Sequence, residues 1–197
     1  MKNLKRWAFA LIALLAFIVA GSVHPVDAAT SRVQAIKNRG YITVGLSADY
    51  APLEFHATVD GQDKIVGADV SLAKKIAKDM GVKLQIKEMG FDALIGGLKT
   101  GKVDMVISGM SKTPERAKQV NFSKPYMYEK QIVVIRKSDK SKYKNVADFS
   151  GATVGAQKQT TQEAIAKANC QALRSTVCKK PMTSLPKFPI ISSTLGS

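Results

Sequence analysis

An α/β fold is what this sequence predicts, and three observations carry that prediction. β-Branched runs alternate with segments whose apolar residues recur every three or four positions. Glycines stand where the helices should end. The 197 residues are 45% hydrophobic and 23% charged, enough apolar material for a packed core and too much for a disordered chain.

The elements follow in order. RVQAIKNRG reads as a short helix closed by Gly40, and YITVGLS, from Tyr41 to Ser47, as a strand with a β-branched centre. DYAPLEFH reads as a loop punctuated by Pro52. From Asp69 to Met80, Val70, Ala73, Ile76, Ala77 and Met80 fall on one helical face, with Gly81 at the stop. VKLQIKEM alternates as a strand, FDALIGGLKTG reads as a helix, and VDMVIS, from Val103 to Ser108, as a buried strand. The order β, α, β, α, β implies a parallel sheet covered by helices, with ligand chemistry in the loops at the carboxyl ends of its strands. Further on, QIVVIRK (Gln131 to Lys137) is β-rich, KNVADFSG is a short helix ending at Gly151, ATVGA is a strand, and Thr160 to Ala168 is a helix.

The first residues have a different character. Lys2, Lys5 and Arg6 precede an apolar run from Ala8 to Gly21, and Val26, Asp27 and Ala28 offer a small-residue cleavage site. That order is a secretory signal peptide over residues 1–28, and the run is shorter than the roughly 20 residues that span a bilayer. No cysteine adjoins the cleavage point, so lipid anchoring there is not expected. The mature chain is expected outside the cytoplasm, in the periplasm or at the cell surface.

The formal net charge is +15, and the leader's three basic residues and one acid leave +13 for the rest. Its lysines are scattered along polar helix faces and strand ends, without aromatic interleaving or a nucleic-acid module. A solvated basic surface is the reading, with attraction to an acidic envelope surface second. Nucleic acid is not expected as a partner. The two histidines, His24 and His56, are isolated, and Cys170 and Cys178 show no zinc spacing, so neither metal nor cofactor is expected.

One segment points to chemistry. SGMSKTPER, from Ser108 to Arg116, ends in a well-specified helix start: Thr113 suits the N-cap, Pro114 the first helical position and Glu115 the first turn. Arg116 in that turn opposes the helix dipole unless it serves an anion, and a carboxylate placed there would meet a bidentate guanidinium beside backbone N–H groups. The alternative is a surface arginine paired with Glu115. Ser108, Gly109 and Ser111 favour the ligand reading, because small side chains admit a ligand to the backbone and hydroxyls bond an ammonium or a carboxylate. Met110, between them, is counted with the group.

Four stretches together carry a resemblance: SADYAPLEF, VGADVSLAKKIAKDMG, FDALIGGLKTGKVDMVISGMSKTPERAKQVNFSKPY and VGAQKQTTQE. They resemble the polar amino acid binding proteins of ABC importers, the family-3 solute-binding proteins, from about Tyr41 to Asn169. The resemblance implies a type II periplasmic-binding-protein-like α/β fold, two lobes closing like a flytrap on a free amino acid and delivering it to a membrane permease. It implies a carrier rather than an enzyme, touching the membrane only through that permease or a tether. Lobe 1 is then expected over residues 29–130 and part of lobe 2 over 131–169, with Tyr126 to Lys130 as a hinge strand.

By the same resemblance Arg116 grips the ligand carboxylate, and Ser108, Gly109 and Ser111 contact the carboxylate and α-amino group. Tyr50 and Phe91 sandwich the side-chain stem, although ordinary core positions would read the same way. Ser47 and Glu54 stand near the pocket, and Glu54 could equally cap a loop. Thr160, Thr161 and Gln162 bring a second helix start to the carboxylate from the other lobe. The implied ligand is polar or basic: glutamine, arginine, lysine or histidine.

From Cys170 the chain departs from this pattern. CQALRSTVCKKPMTSLPKFPIISSTLGS has no acidic residue and no sustained period, and it looks like a shifted reading frame or a truncated gene. The expected strand, helix, second hinge and ammonium-binding aspartate of the family are not recognisable there. Residues 170–197 are therefore expected as an aberrant tail that leaves lobe 2 incomplete and ligand binding by this chain weak or absent, and a fusion of the intact gene to its permease would account for a leader without a lipidation cysteine. The two cysteines are expected to be incidental. Two other classes stay in view: an exported cyclohexadienyl or arogenate dehydratase, which would need a general acid such as Glu54, and a cationic surface adhesin.

Overall fold

The computed structural model describes residues 28–169, 172–173 and 190–195. Except for Ala28, the leader expected over residues 1–28 lies outside them, as do Cys170 and Cys178. The chain divides into two units after Arg39. In the first, helix α1 (Ala28–Arg39) carries Lys37 and Arg39 in its last turn, where positive charge complements the dipole, and the Gln34 amide donates to Asn38 at 2.8 Å.

The second unit opens on β1 (Tyr41–Leu46), the centre of a parallel sheet ordered β5-β1-β6, with β5 at Lys83–Glu88 and β6 at Met105–Val106. Tyr41 pairs with Lys83 and Leu46 with Glu88; Val44 pairs with Met105. Ile42, Val44 and Leu46 are buried, and the missing side chain of Gly45 lets Val103 and Leu94 approach to where a Cβ would lie 3.2 and 3.4 Å away. The expected strand Val103–Ser108 pairs over two residues only. Val103 and Ile107 are buried all the same, because the strand sits under helices and contributes through packing.

The stretch after β1 is not the loop the sequence predicts. It is an antiparallel sheet of β2 (Asp49–Tyr50), β3 (Glu54–Val59) and β4 (Gln62–Val66), in the order β2-β3-β4. Asp60 and Gly61 make the hairpin turn, both at positive φ (54° and 73°), and Val59 pairs with Gln62 across it. Asp-Gly is the residue pair that two-residue hairpins favour.

Helix α2 (Ala68–Met80) buries Val70, Ala73 and Ala77 as its period requires, and closes with the Gly81 N–H on the Lys78 carbonyl and the Val82 N–H on that of Ala77. A turn at Phe91–Ala93 leads into α3 (Leu94–Lys99), and α4 (Pro114–Ala117) is a single turn.

β7 (Glu129–Val134) then leads to a second layer with its own core. The turn Val146–Phe149, β8 (Thr153–Val154) and α5 (Thr161–Asn169) pack Phe149, Val154 and Ala166 together with Val133, Ile135 and Ile165. Tyr143 stacks on Phe149 with centroids 4.4 Å apart. Regular backbone continues beyond Cys170, where none is expected from the sequence: β9 (Ala172–Leu173) pairs parallel with β8, and β10 (Ile190–Leu195) pairs antiparallel with β7. Strand, helix and parallel strand in β8-α5-β9 repeat the alternation of the first layer. No described helix is long and apolar enough to cross a membrane.

Candidate ligand-binding cleft

Arg116 is positioned from both of its ends. The Thr113 hydroxyl accepts its backbone N–H at 3.3 Å, and Pro114 fixes the first position of α4. At the tip, Nη1 donates to the Ser111 carbonyl and Nη2 to the Gln159 carbonyl, each at 2.7 Å, while the guanidinium lies 5.3 Å from the centre of the Phe91 ring. Partial burial pulls its pKa below the usual value. The expected partnership of guanidinium and helix tip changes here. α4 is one turn, too short to sum much of a dipole, and the Arg116 N–H is already engaged by its cap. The positive charge on this wall therefore belongs to the guanidinium.

Gln159 immediately precedes Thr160, the cap of α5, so Arg116 reaches the second layer directly. The Thr160 hydroxyl caps α5 by accepting the Glu163 N–H at 3.1 Å, and the Glu163 carboxylate accepts the Gln159 N–H at 2.6 Å. Thr161 and Gln162 form the first turn.

Around Arg116 lies a cleft with about 430 Å³ of empty space, part of it open to solvent, and residues from both layers line it. Ten of the twelve expected residues are there: Tyr50, Glu54, Phe91, Ser108, Gly109, Ser111, Arg116, Thr160, Thr161 and Gln162. Two are not. Ser47 is buried behind the wall, where its N–H bonds the Ser108 hydroxyl at 3.0 Å and its own hydroxyl bonds Asp49 at 3.1 Å. Met110 turns to a separate, mainly apolar groove shared with Leu72, Ile76 and Phe122, because its neighbours Gly109 and Ser111 take the cleft side. Gly109 also differs from expectation, since its N–H is spent on the Asp69 carboxylate at 2.8 Å. Its φ is +51°, and a Cβ there would stand 3.0 Å from the Tyr50 ring. The glycine lets that ring close over the backbone.

Four further residues line the cleft that the sequence reading did not single out: Asp49, Glu129, Gln131 and Gln157. Asp49 and Gln157 lie inside quoted motifs. Glu129 falls in the expected hinge strand and Gln131 opens the β-rich run after it, but neither is expected to face the cleft, because a strand's inward face shows only once its partner is known. Two of these lining residues join the layers, the Gln157 amide donating to Asp49 at 2.9 Å, while the Tyr50 hydroxyl donates at 2.9 Å to Glu129 at the start of the connecting strand β7. Lys158 and Asp92 approach to 3.7 Å at the rim.

The floor is acidic. Ser108 donates to the lining Glu54 at Oε1, 2.7 Å, and behind the lining, Tyr126 donates to Asp69 at 2.9 Å. Glu54 is 1% exposed, and burial raises its pKa to about 9, with Asp69 and Asp49 adding to the rise and the Ser108 bond opposing it. It is therefore a neutral acid at pH 7. Burial also lifts Asp49, and burial with the neighbouring Glu129 lifts Tyr50. Two buried oxygens have no hydrogen-bond partner among the described residues: Glu54 Oε2 and Glu129 Oε1. His56, bonded to Asp63 and Glu88, stands apart from the cleft, and no group of metal ligands occurs among the described residues.

An α/β chain whose two layers meet at a polar cleft, lined from both by a guanidinium, two rings and carboxyl groups, has the construction of a type II periplasmic binding protein. Residues 42–180 match the bacterial extracellular solute-binding proteins, family 3, and the chain belongs to that family. The match extends past Asn169, into the stretch where the sequence alone shows no family pattern. The arginine-binding extracellular protein ArtP of Bacillus subtilis is 38% identical over 160 residues, which are 81% of this chain and 58% of that one. ABC transporter arginine-binding protein 1 of Escherichia coli is 44% identical over 122 residues, 62% of this chain and 48% of that one. The chain thus spans about half the length of these relatives. Among solved structures it resembles an amino acid ABC transporter substrate-binding protein, AbpA of Streptococcus pneumoniae, bound to L-arginine (39% identity, TM-score 0.76, covering 82% of this chain and 70% of that one). It also resembles the ancestral amino acid-binding protein AncCDT-1, a precursor of cyclohexadienyl dehydratase (33% identity, TM-score 0.71, covering 82% and 73%).

Proposed function

We propose that this chain is the extracytoplasmic binding component of an ABC importer, taking up a free polar or basic amino acid and presenting it to a membrane permease. The observation that carries the reading is the cleft itself, where Arg116 faces carboxyl groups across a space walled by Phe91 and Tyr50. A zwitterion needs that polarity: an anion receptor at one end, acid or hydroxyl groups at the other, and apolar faces for the stem between them. In this reading Arg116, with Ser111 and the first turn of α5 (Thr160, Thr161, Gln162), holds the carboxylate, and Ser108 with the acidic floor takes the α-amino group. Residues 1–28 direct export, 29–130 form lobe 1 and 131–169 part of lobe 2.

The relatives support the ligand class, since ArtP, the Escherichia coli protein and AbpA carry arginine in their names or structures. An acid catalyst reading of Glu54 finds less support. Its Oε1 is engaged by Ser108 within a buried wall, and even AncCDT-1, named for its descent toward a dehydratase, is described as an amino acid-binding protein. The test is calorimetric titration of the mature chain with the twenty amino acids and with a cyclohexadienyl acid. Saturable binding of at least one polar or basic amino acid, without turnover of the cyclohexadienyl acid, is the expected result; turnover, or no amino acid bound, refutes it.

A further inference from the structure

Asp69 lies behind the lining of the cleft rather than in it, yet two parts of the cleft's frame end on its carboxylate. It sits in the first turn of α2 and is 1% exposed, and no cation pairs with it among the described residues. The start of α2 favours a negative group there, and the rest of its satisfaction comes from two donors on other segments. The Gly109 N–H reaches Oδ2 at 2.8 Å, and the Tyr126 hydroxyl reaches Oδ1 and Oδ2 at 3.0 and 2.9 Å. A buried carboxylate left short of a donor is costly, so Asp69 holds both segments in place.

Both donors lead to Tyr50. Gly109 lies against its ring, at a φ of +51° and so close that a Cβ would stand 3.0 Å from two ring carbons. Tyr126 precedes β7, whose first residue, Glu129, accepts the Tyr50 hydroxyl at 2.9 Å. The contacts close a circuit: Asp69 to Gly109, Gly109 to the Tyr50 ring, Tyr50 to Glu129, and back along the chain through Tyr126 to Asp69. The ring is therefore seated on one support and tethered to another, and each support is tied to the same buried acid.

We infer that Asp69 is a positioning residue: through Gly109 and Tyr126 it sets the Tyr50 ring against the space for the ligand's stem. This rests on the amino acid-binding reading and deepens it. A ring seated in advance meets the stem without losing further freedom on binding, which is how preorganisation raises affinity.

The test is a double-mutant cycle on the mature chain, with Asp69→Ala, Tyr50→Leu and the two combined, read by calorimetry with L-arginine up to its solubility so that weak variants still register. Urea unfolding verifies that each variant folds. With Tyr50 present, Asp69→Ala should weaken arginine about ten- to a hundredfold; with Tyr50→Leu in place, by no more than about threefold. Asp69→Asn keeps an oxygen for Gly109 and Tyr126 and should stay within about threefold of the parent. An acid that served only the fold would cost the same affinity whether or not the ring is there. Equal losses in the two backgrounds, or an Asp69→Asn as weak as Asp69→Ala, overturn the inference while the amino acid-binding reading stands. If Asp69→Ala does not fold, Tyr126→Phe, which removes one bond from a half-exposed ring, takes its place in the cycle, with about a three- to tenfold loss expected and the same comparison deciding. Should the parent bind no amino acid, both fall.

Discussion

Replacing Arg116 by alanine removes three contacts at once: the bonds to the Ser111 and Gln159 carbonyls and the stacking on Phe91. Since the side chain is only half-buried, solvent recovers part of that loss, and the protein itself should lose about 1–2 kcal/mol of stability. Binding should suffer more. A ligand carboxylate left in the cleft without its charge partner costs about 2–5 kcal/mol, which is roughly thirty- to several-thousandfold in affinity. Arg116→Lys keeps the charge but loses the two-pronged fork that reaches both carbonyls, so about ten- to thirtyfold is expected. The assay is calorimetry with arginine and with agmatine, which is arginine without its carboxylate. Agmatine should bind the parent weakly and be nearly indifferent to Arg116→Ala. If that variant binds arginine as tightly as the parent, or if agmatine loses as much as arginine does, Arg116 does not hold the carboxylate.

Gly109→Ala forces a side chain into φ +51° and against the Tyr50 ring at 3.0 Å; ligand affinity should fall at least tenfold in calorimetry, with about 1–2 kcal/mol lost in urea unfolding. Glu54 sets a pH dependence. Its pKa is about 9 in the folded protein against 4.5 as an ordinary glutamate, so between those values the folded state holds a proton that the unfolded chain does not. Its contribution is complete below 4.5 and declines as pH rises through 9, by up to about 1.4 kcal/mol per pH unit. Urea unfolding from pH 5 to 9 should show the decline in the parent and a flatter profile in Glu54→Gln. Thr160→Ala removes the cap of α5 and should cost about 1 kcal/mol, read as a lower urea midpoint with unchanged slope.

The sequence made legible what depends on local rules. α2 follows from its apolar period and from Gly81, the parallel sheet from β-branched runs alternating with helices, and the Arg116 turn from Thr113 and Pro114. The hairpin of β3 and β4 escaped because its faces are only partly buried, which blurs alternation; the Asp60-Gly61 pair was the signal available. β9 and β10 escaped because two paired residues, or six rich in serine, carry no period of their own and are strands only through β8 and β7. In the cleft, residues on motifs were accessible and their directions were not. Ser47 and Met110 sit in the right segments and face elsewhere, while Glu129 faces inward from a strand whose register no single sequence reveals.

That difference bears on how the cleft can work. A ligand promotes closure only by what it adds to the closed arrangement beyond what the two layers already make with each other. Here they already make a good deal: Arg116 with Gln159 and Asp49 with Gln157 are direct bonds across the cleft, and Tyr50 bonds Glu129 at the start of the connecting strand β7. A ligand that had to break these would gain little from closing. The unspent atoms resolve the conflict. Glu129 holds Tyr50 on one oxygen and has no partner on the other among the described residues, and Arg116 has further N–H groups on a guanidinium that anchors through two. The Asp49–Gln157 bond uses one oxygen of an acid whose other oxygen accepts from Ser47. On the proposed reading, Arg116 is where closure and ligand recognition are joined in one side chain.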